Sequence, residues 1–209
     1  MRHPITTKPC TDPMDALSLL HSRNSAPRLR EPAPAGEELE NMFKAALRAP
    51  DHAWLRPWRF LTIGGDSRHD LGQLFVKAAE LRKQQAGEPA MTGEEITRLA
   101  AKPLRAPLII TVIASVKEHS KVPAVEQVIS AGCAAHGLLL AAHAQGFAGV
   151  WRTGTNAFDT TVMQGLGLQS NENIVGFLYL GTVDGSYKTL RELNIDDYNQ
   201  SWSSSSPAE

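Results

Sequence analysis

From Glu37 to Leu47 the apolar residues are Leu39, Met42, Phe43, Ala46 and Leu47. That is the i, i+3, i+4, i+7, i+8 stripe of a helix with one buried face. Glu37 and Glu38 fall in its first turn, where the helix dipole favours acids. Before it, Met14 to Ser22 carries Leu17, Leu19 and Leu20 in a helix-forming setting, and RNSAPRLREPAPAG follows as a polar, proline-rich connector. WRFLTIGG, from Trp58, predicts a strand. Asp66 is expected to cap a helix reaching about Gln85, and Thr92 with Glu95 has capping-box spacing for another to about Ala101. The segment between Gly64 and Pro107 is the most polar part of the body, so it is expected to cross a surface rather than build core. PLIITVIASV, from Pro107, reads as a strand buried on both faces. Residues 123–145 predict a long helix with Gly146 at its C-terminal cap. FAGVWRTG gives a short strand and turn, Ala157 to Leu168 a helix, and NIVGFLYLGTVDG a final strand.

Strands alternate with long helical connections, which predicts a mixed sheet flanked by helices. No repeat or linker divides the chain, so one domain is expected over residues 14–190. Residues 1–13 show no periodicity and are expected to be a flexible tail. Residues 191–209 form a C-terminal extension ending in SWSSSSPAE, expected to be partly disordered. The long helix is apolar or small on every side from Val128 to Ala144, so it must be covered all round. Its Gly132, Ala134, Ala135, Gly137, Ala141 and Ala142 permit close helix contact, which points to subunit pairing.

Composition narrows the function classes. The 209 residues are 42% hydrophobic and 21% charged, with a net charge of -1. Nothing global calls for nucleic acid or an anionic membrane, while a local basic cluster suits a small anion. No run of 18 apolar residues appears, so no membrane span is expected. The N-terminus lacks the apolar core of a signal peptide. Cys10 and Cys133 give neither a disulfide framework nor zinc spacing, which suits the cytoplasm.

Several places bear candidate chemistry. RNSAPRLR, Arg23 to Arg30, offers guanidinium forks that fit phosphate, with Asn24 and Ser25 adding an amide and a hydroxyl. LRAPDHAWLRPWRF packs cations and rings into a connector, with Arg48 and His52 on either side of Pro50. GVWRTG sets Trp151, Arg152 and Thr153 between glycines at a strand end, where a tryptophan face beside an arginine suits a flat conjugated ring. Cys133, His136 and His143 share one helix, but no carboxylate or second cysteine there completes a metal set, and no metal is expected. There is no G-x-G-x-x-G, G-x-x-x-x-G-K-[ST] or G-x-S-x-G.

Taken in order, MDALSLLHSRNSAPRL, LRAPDHAWLRPWRF, RAPLIITVIA, KVPAVEQVISAGCAAHGLLLAAHAQGFAGVWRTG and IVGFLYLGT resemble the nitroreductase family of flavin mononucleotide enzymes, in its single-domain bacterial NAD(P)H nitroreductase subgroup. The resemblance implies an α+β fold built as an intertwined homodimer, with FMN in clefts at the subunit interface. It places Arg23, Asn24 and Ser25 on the phosphate and ribityl side. It places Arg48 and His52 on the flavin of the partner subunit, and Trp151, Arg152 and Thr153 beside the ring. It implies ping-pong hydride transfer from NADH or NADPH through FMN to a small electron-poor acceptor, a nitroaromatic or quinone. Pro27 stands where many members have a basic residue, and Trp54 and Arg56 replace the polar pair of N-x-Q-P-W. That replacement leaves two alternatives, flavin-dependent oxidase or dehalogenase chemistry on the same fold and flavin binding without turnover.

Overall fold

The computed structural model describes residues 15–203. The expected tail of residues 1–13, Met14 and the disordered end expected at 204–209 lie outside the described residues. Helices α1 (Ala16–Ser22), α2 (Gly36–Ala46), α3 (Ser67–Gln85), α4 (Gly93–Ala100), α5 (Ala124–Ala144) and α6 (Thr160–Gly165) surround strands β1 (Leu29–Arg30), β2 (Trp58–Gly64), β3 (Leu108–Ser115), β4 (Ala148–Arg152) and β5 (Glu172–Val183). The architecture is α+β. The sheet order is β1-β5-β3-β2, with β4 also on β5. Every named strand pair is antiparallel, and the parallel component is an isolated bridge from Ser25 to Gly149. Strand β1 lies within the expected connector. Its two residues are too short a run to show a period of two.

Alternation along β3 and β5 builds two cores. Ile110, Val112, Leu178 and Leu180 pack under α2 and α5. Ile109, Phe177 and Tyr179 pack with Leu71 and Phe75 of α3 and Val162 of α6. The segment between Gly64 and Pro107 is therefore not a surface excursion. Helix α3 buries Leu71, Gly72, Phe75, Val76 and Ala78 and, with α6, covers one face of the sheet. Its many charges sit on the outer side, which is why mean polarity hid the buried stripe. Asp66 precedes α3 but is itself in helical conformation, and its side chain makes no capping bond. The Thr92–Glu95 capping box forms on α4. The helix expected from Ala157 to Leu168 is split into a 3-10 turn, Thr155–Phe158, and α6, with Asp159 capping α6 through Thr161 N and Val162 N.

Helix α5 reaches a mean hydropathy of 1.3 over 18 residues, a value compatible with a membrane span although no unbroken apolar run exists. It is instead a core helix on one side, where Ala131, Ala134, Ala135, Leu138 and Ala142 are buried. Gly137 faces Ala45 of α2 so closely that a Cβ there would lie 3.3 Å from the Ala45 carbonyl oxygen. Contrary to expectation, the protomer does not cover α5 all round. Val125 and Ile129 are 64% and 61% exposed, and Cys133 and His136 continue the same open stripe.

Glu172, at the start of β5, is buried and held by a two-pronged contact with Arg59 of β2: Nε to Oε1 at 2.6 Å and Nη2 to Oε2 at 2.6 Å. Hydrogen bonding from Arg59 is the main cause that lowers the carboxyl from its ordinary 4.5 to about 2. A depressed folded value means the stabilisation is present above pH 4.5 and is lost as pH falls toward about 2. Glu172→Gln should therefore cost about 2 kcal/mol at neutral pH. It should also flatten the decline of stability through that acid window, as read by urea unfolding at stepped pH. An unchanged acid limb would show that the pair does not govern it.

Candidate functional site

The site begins at the C-terminal end of β4. Pairing with β5 sets Trp151 opposite Leu178 and Arg152 opposite Phe177. Successive strand residues point to opposite faces. Trp151 accordingly turns toward the α5 side of the sheet, and its indole N–H donates to the Val175 carbonyl of β5 at 3.2 Å. Gly176 makes room for it, since a Cβ there would fall 2.0 Å from the Trp151 Nε1. Arg152 turns to the other face, its guanidinium 5.6 Å from the centre of the Tyr179 ring. The ring under the Arg152 guanidinium is thus Tyr179, while Trp151 lines the neighbouring cavity from the adjoining strand position. Burial pushes the Tyr179 phenol up to about 12, with the Arg152 charge pulling the other way.

Trp151, Arg152, Thr153 and Gly154 line a cavity of about 460 Å³ together with Lys102, Arg105 and Tyr179. A second hollow of about 390 Å³, lined by Pro27, Arg28 and Asp184, shares Arg105 and Arg152 with it. The two form one trough walled by cations, in the volume range of small-molecule sites. Arg82 also lines it, but its charge is met by Asp159. Lys102, Arg105 and Arg152 make no ion pair among the described residues, and the Arg152 Nε is buried without a hydrogen-bond partner. Burial lowers the Lys102 ammonium, and repulsion from Arg105, Arg98, Arg152 and Arg82 lowers it further. Such a donor set is built to receive an anionic or carbonyl-rich ligand.

The N-terminal candidates approach the same strand. Ser25 bridges Gly149, and Ala26 N donates to the Gly149 carbonyl at 3.2 Å. Asn24 is engaged at both ends, its Oδ1 accepting from Ser25 N and its Nδ2 donating to the Lys188 carbonyl at 2.9 Å. Arg23 lies near His143, whose imidazole is lowered by burial and then by the Arg23 charge; His143 Nε2 is 3.0 Å from Ser22 Oγ.

Arg48 and His52 are not in the trough. Arg48 is exposed just beyond α2, and His52 lines a separate cavity of about 360 Å³ with Glu126, Ser130 and Cys133 of α5. Their loop is unusual. Ala53, Trp54 and Arg56 all have positive φ, at 57°, 55° and 47°, although none is glycine. Trp54 is 81% exposed, with the Arg56 guanidinium 5.9 Å from its ring centre.

Sequence reasoning missed Lys102, Arg105 and Tyr179. Lys102 and Arg105 lie three apart in the 3-10 turn Lys102–Arg105, a spacing that brings their side chains into line. That pairing just before β3 was the available signal. Tyr179 gave none beyond its place in an apolar strand.

The nitroreductase family model matches residues 22–182. The chain is 43% identical over 184 residues to the "Putative NAD(P)H nitroreductase YdjA" of Escherichia coli K12, covering 88% of this chain and 96% of that one. Among solved structures it resembles a nitroreductase-like family protein of Bacillus cereus, 20% identical, with a TM-score of 0.75 over 91% of this chain and 97% of that one. It also resembles a nitroreductase of Desulfovibrio desulfuricans solved in complex with FMN, 22% identical, with a TM-score of 0.67 over 91% and 98%. With its matched span taking in the N-terminal loop, the cation-walled trough and the central strand, this chain belongs to the nitroreductase family.

Proposed function

We propose that the protein is a cytoplasmic, homodimeric FMN-dependent oxidoreductase that draws hydride from NADH or NADPH and reduces a nitroaromatic or quinone. The observation that carries this reading is the half-buried Arg152, with its unpartnered Nε, in a trough that also holds Lys102 and Arg105. The residues fit FMN. Its phosphate and its carbonyl-bearing ring edge both ask for cations, and its flat ring asks for an aromatic-lined slot, here offered by Phe75, Phe177 and Tyr179. Bound FMN supplies the hydride acceptor and the two-electron donor of the reaction.

The chain's own residues bind and orient. Arg152 presents a planar fork to the electron-rich ring edge, where a fixed cation favours reduction. Thr153 and Gly154 offer backbone close by, Gly154 having φ of 62° that only glycine takes without strain. Arg23, Asn24 and Ser25 approach from the adjoining loop, with Ser25 registered on β4. Arg48 and His52 line no part of this trough in their own protomer, and in this reading they serve the flavin of the partner subunit. The open stripe of Val125, Ile129, Cys133 and His136 on α5 supports a second copy covering that face. Two cysteines far apart in sequence suit the cytoplasm, and residues 14–190 act as one domain followed by the extension 191–209.

Arg152→Ala should weaken FMN binding by about tenfold or more, near 1.4 kcal/mol. Arg152→Lys should not restore it, because a lysine lacks the bidentate fork. Flavin fluorescence titration checks both, and an unchanged affinity with an unchanged flavin spectrum would overturn the assignment. Ile129→Glu should convert the dimer to a monomer in light scattering and release FMN while leaving the thermal melt of the protomer nearly intact. A wild-type protein that is monomeric at micromolar concentration yet retains FMN would sink the shared-site reading.

A further inference from the structure

We infer that Glu126 is a positioning residue for the flavin contact made by His52. This rests on the reading above that His52 meets FMN. His52 Nδ1 and Glu126 Oε1 are 2.7 Å apart. Glu126 belongs to the first turn of α5, where the positive end of the helix dipole favours a charged carboxylate. An ionised carboxylate only accepts hydrogen bonds, so the proton between them belongs to Nδ1. The bond therefore fixes one ring orientation, selects the Nδ1–H tautomer whenever the ring is neutral, and leaves Nε2 as the nitrogen offered to a ligand.

The backbone around His52 explains why such a tie is needed. Ala53 and Trp54 sit in left-handed conformation at 57° and 55°, which costs about 1–3 kcal/mol each and persists only where the surroundings enforce it. The surroundings do so at fixed points. Ser130 Oγ donates to the Pro50 carbonyl, Arg56 N donates to Asp51 Oδ2 at 2.8 Å, and Lys117 Nζ donates to the Leu55 carbonyl at 2.6 Å. These ties hold main chain. The His52 side chain is half exposed, with 52% of its surface open, and Glu126 is its recorded polar contact. Remove the carboxylate and the loop keeps its path while the imidazole is released to rotate. Such second-tier partners of a binding histidine characteristically act through the ring they orient.

The test is a mutant cycle on the full chain, read by FMN dissociation constant and by the ¹⁵N shifts of the His52 ring. His52→Ala should weaken FMN by about tenfold. Glu126→Leu should weaken it in the same direction, and the double variant should be no weaker than His52→Ala alone, because both changes remove one contact. Glu126→Gln should stay within about twofold of wild type, since its amide oxygen still accepts from Nδ1–H. The ring shifts should report an Nδ1–H imidazole in wild type and Glu126→Gln, and a tautomer mixture in Glu126→Leu. If His52→Ala weakens FMN while Glu126→Leu leaves affinity and ring shifts unchanged, the inference alone fails. Additive losses in the double variant would also overturn it. If His52→Ala leaves FMN affinity unchanged, the reading that His52 meets flavin fails, and this inference with it.

Discussion

The antiparallel pairing of β4 with β5 is the constraint on which the site depends. One register places Trp151 opposite Leu178 and Arg152 opposite Phe177. Shifted by a single residue, the two would exchange faces, sending a guanidinium into the apolar layer under α5 and away from the Tyr179 ring. The register is enforced sterically as well as by the ladder. Trp151 fits because Gly176 leaves space beside it, and Gly149 sits where a side chain would meet Leu139, Leu180 and the Tyr179 carbonyl. The same strand then takes the bridge from Ser25. Residues near 25, 105 and 152 thus converge through one ladder and its neighbours.

Charge in the trough is arranged against the protein's own stability. The chain carries a net charge of -1, yet Lys102, Arg105 and Arg152 share one hollow with Asp159 engaged by Arg82 instead. The lowered Lys102 records the resulting repulsion, with burial as its larger cause. Lys102 and Arg105 are exposed and keep access to solvent, whereas Arg152 is half-buried beside the Tyr179 ring with its Nε shut away from water. The unpartnered Arg152 Nε is the buried donor that an anionic or carbonyl ligand would satisfy.

The periodic elements were legible in the sequence because periodicity is a local property. The stripe from Leu39 to Leu47, the capping box of Thr92 and Glu95, and the apolar runs of β3 and β5 all name their own structures. The failures arose where identity depends on neighbours in space. Helix α3 read as surface because its charges outnumber its buried residues, and only the sheet beneath it shows that Phe75 is core. The long helix read as covered on all sides because its sequence is apolar there, while the protomer provides a partner for one face only. In the site, Arg152 and the loop of Arg23 to Ser25 were visible as unusual chemistry between glycines and prolines. Lys102, Arg105 and Tyr179 were not, because each is ordinary in its own segment and gains meaning only from the others.

The loop after α2 draws these strands together. Its non-glycine residues Ala53, Trp54 and Arg56 stand in left-handed conformation, which costs energy that surrounding contacts must offset. The ties from Ser130, Lys117 and Asp51 hold the distorted main chain in place, and Glu126 adds a tie to the His52 ring. Two of those ties, Ser130 and Glu126, come from α5, the helix whose adjoining stripe of Val125 and Ile129 stands open. One element therefore both shapes the loop and carries an exposed apolar stripe. The imidazole of His52 and the carbonyl of Pro50 are thus both held from the helix whose next turns carry the exposed stripe, so the position of the loop and the exposure of the helix depend on one element.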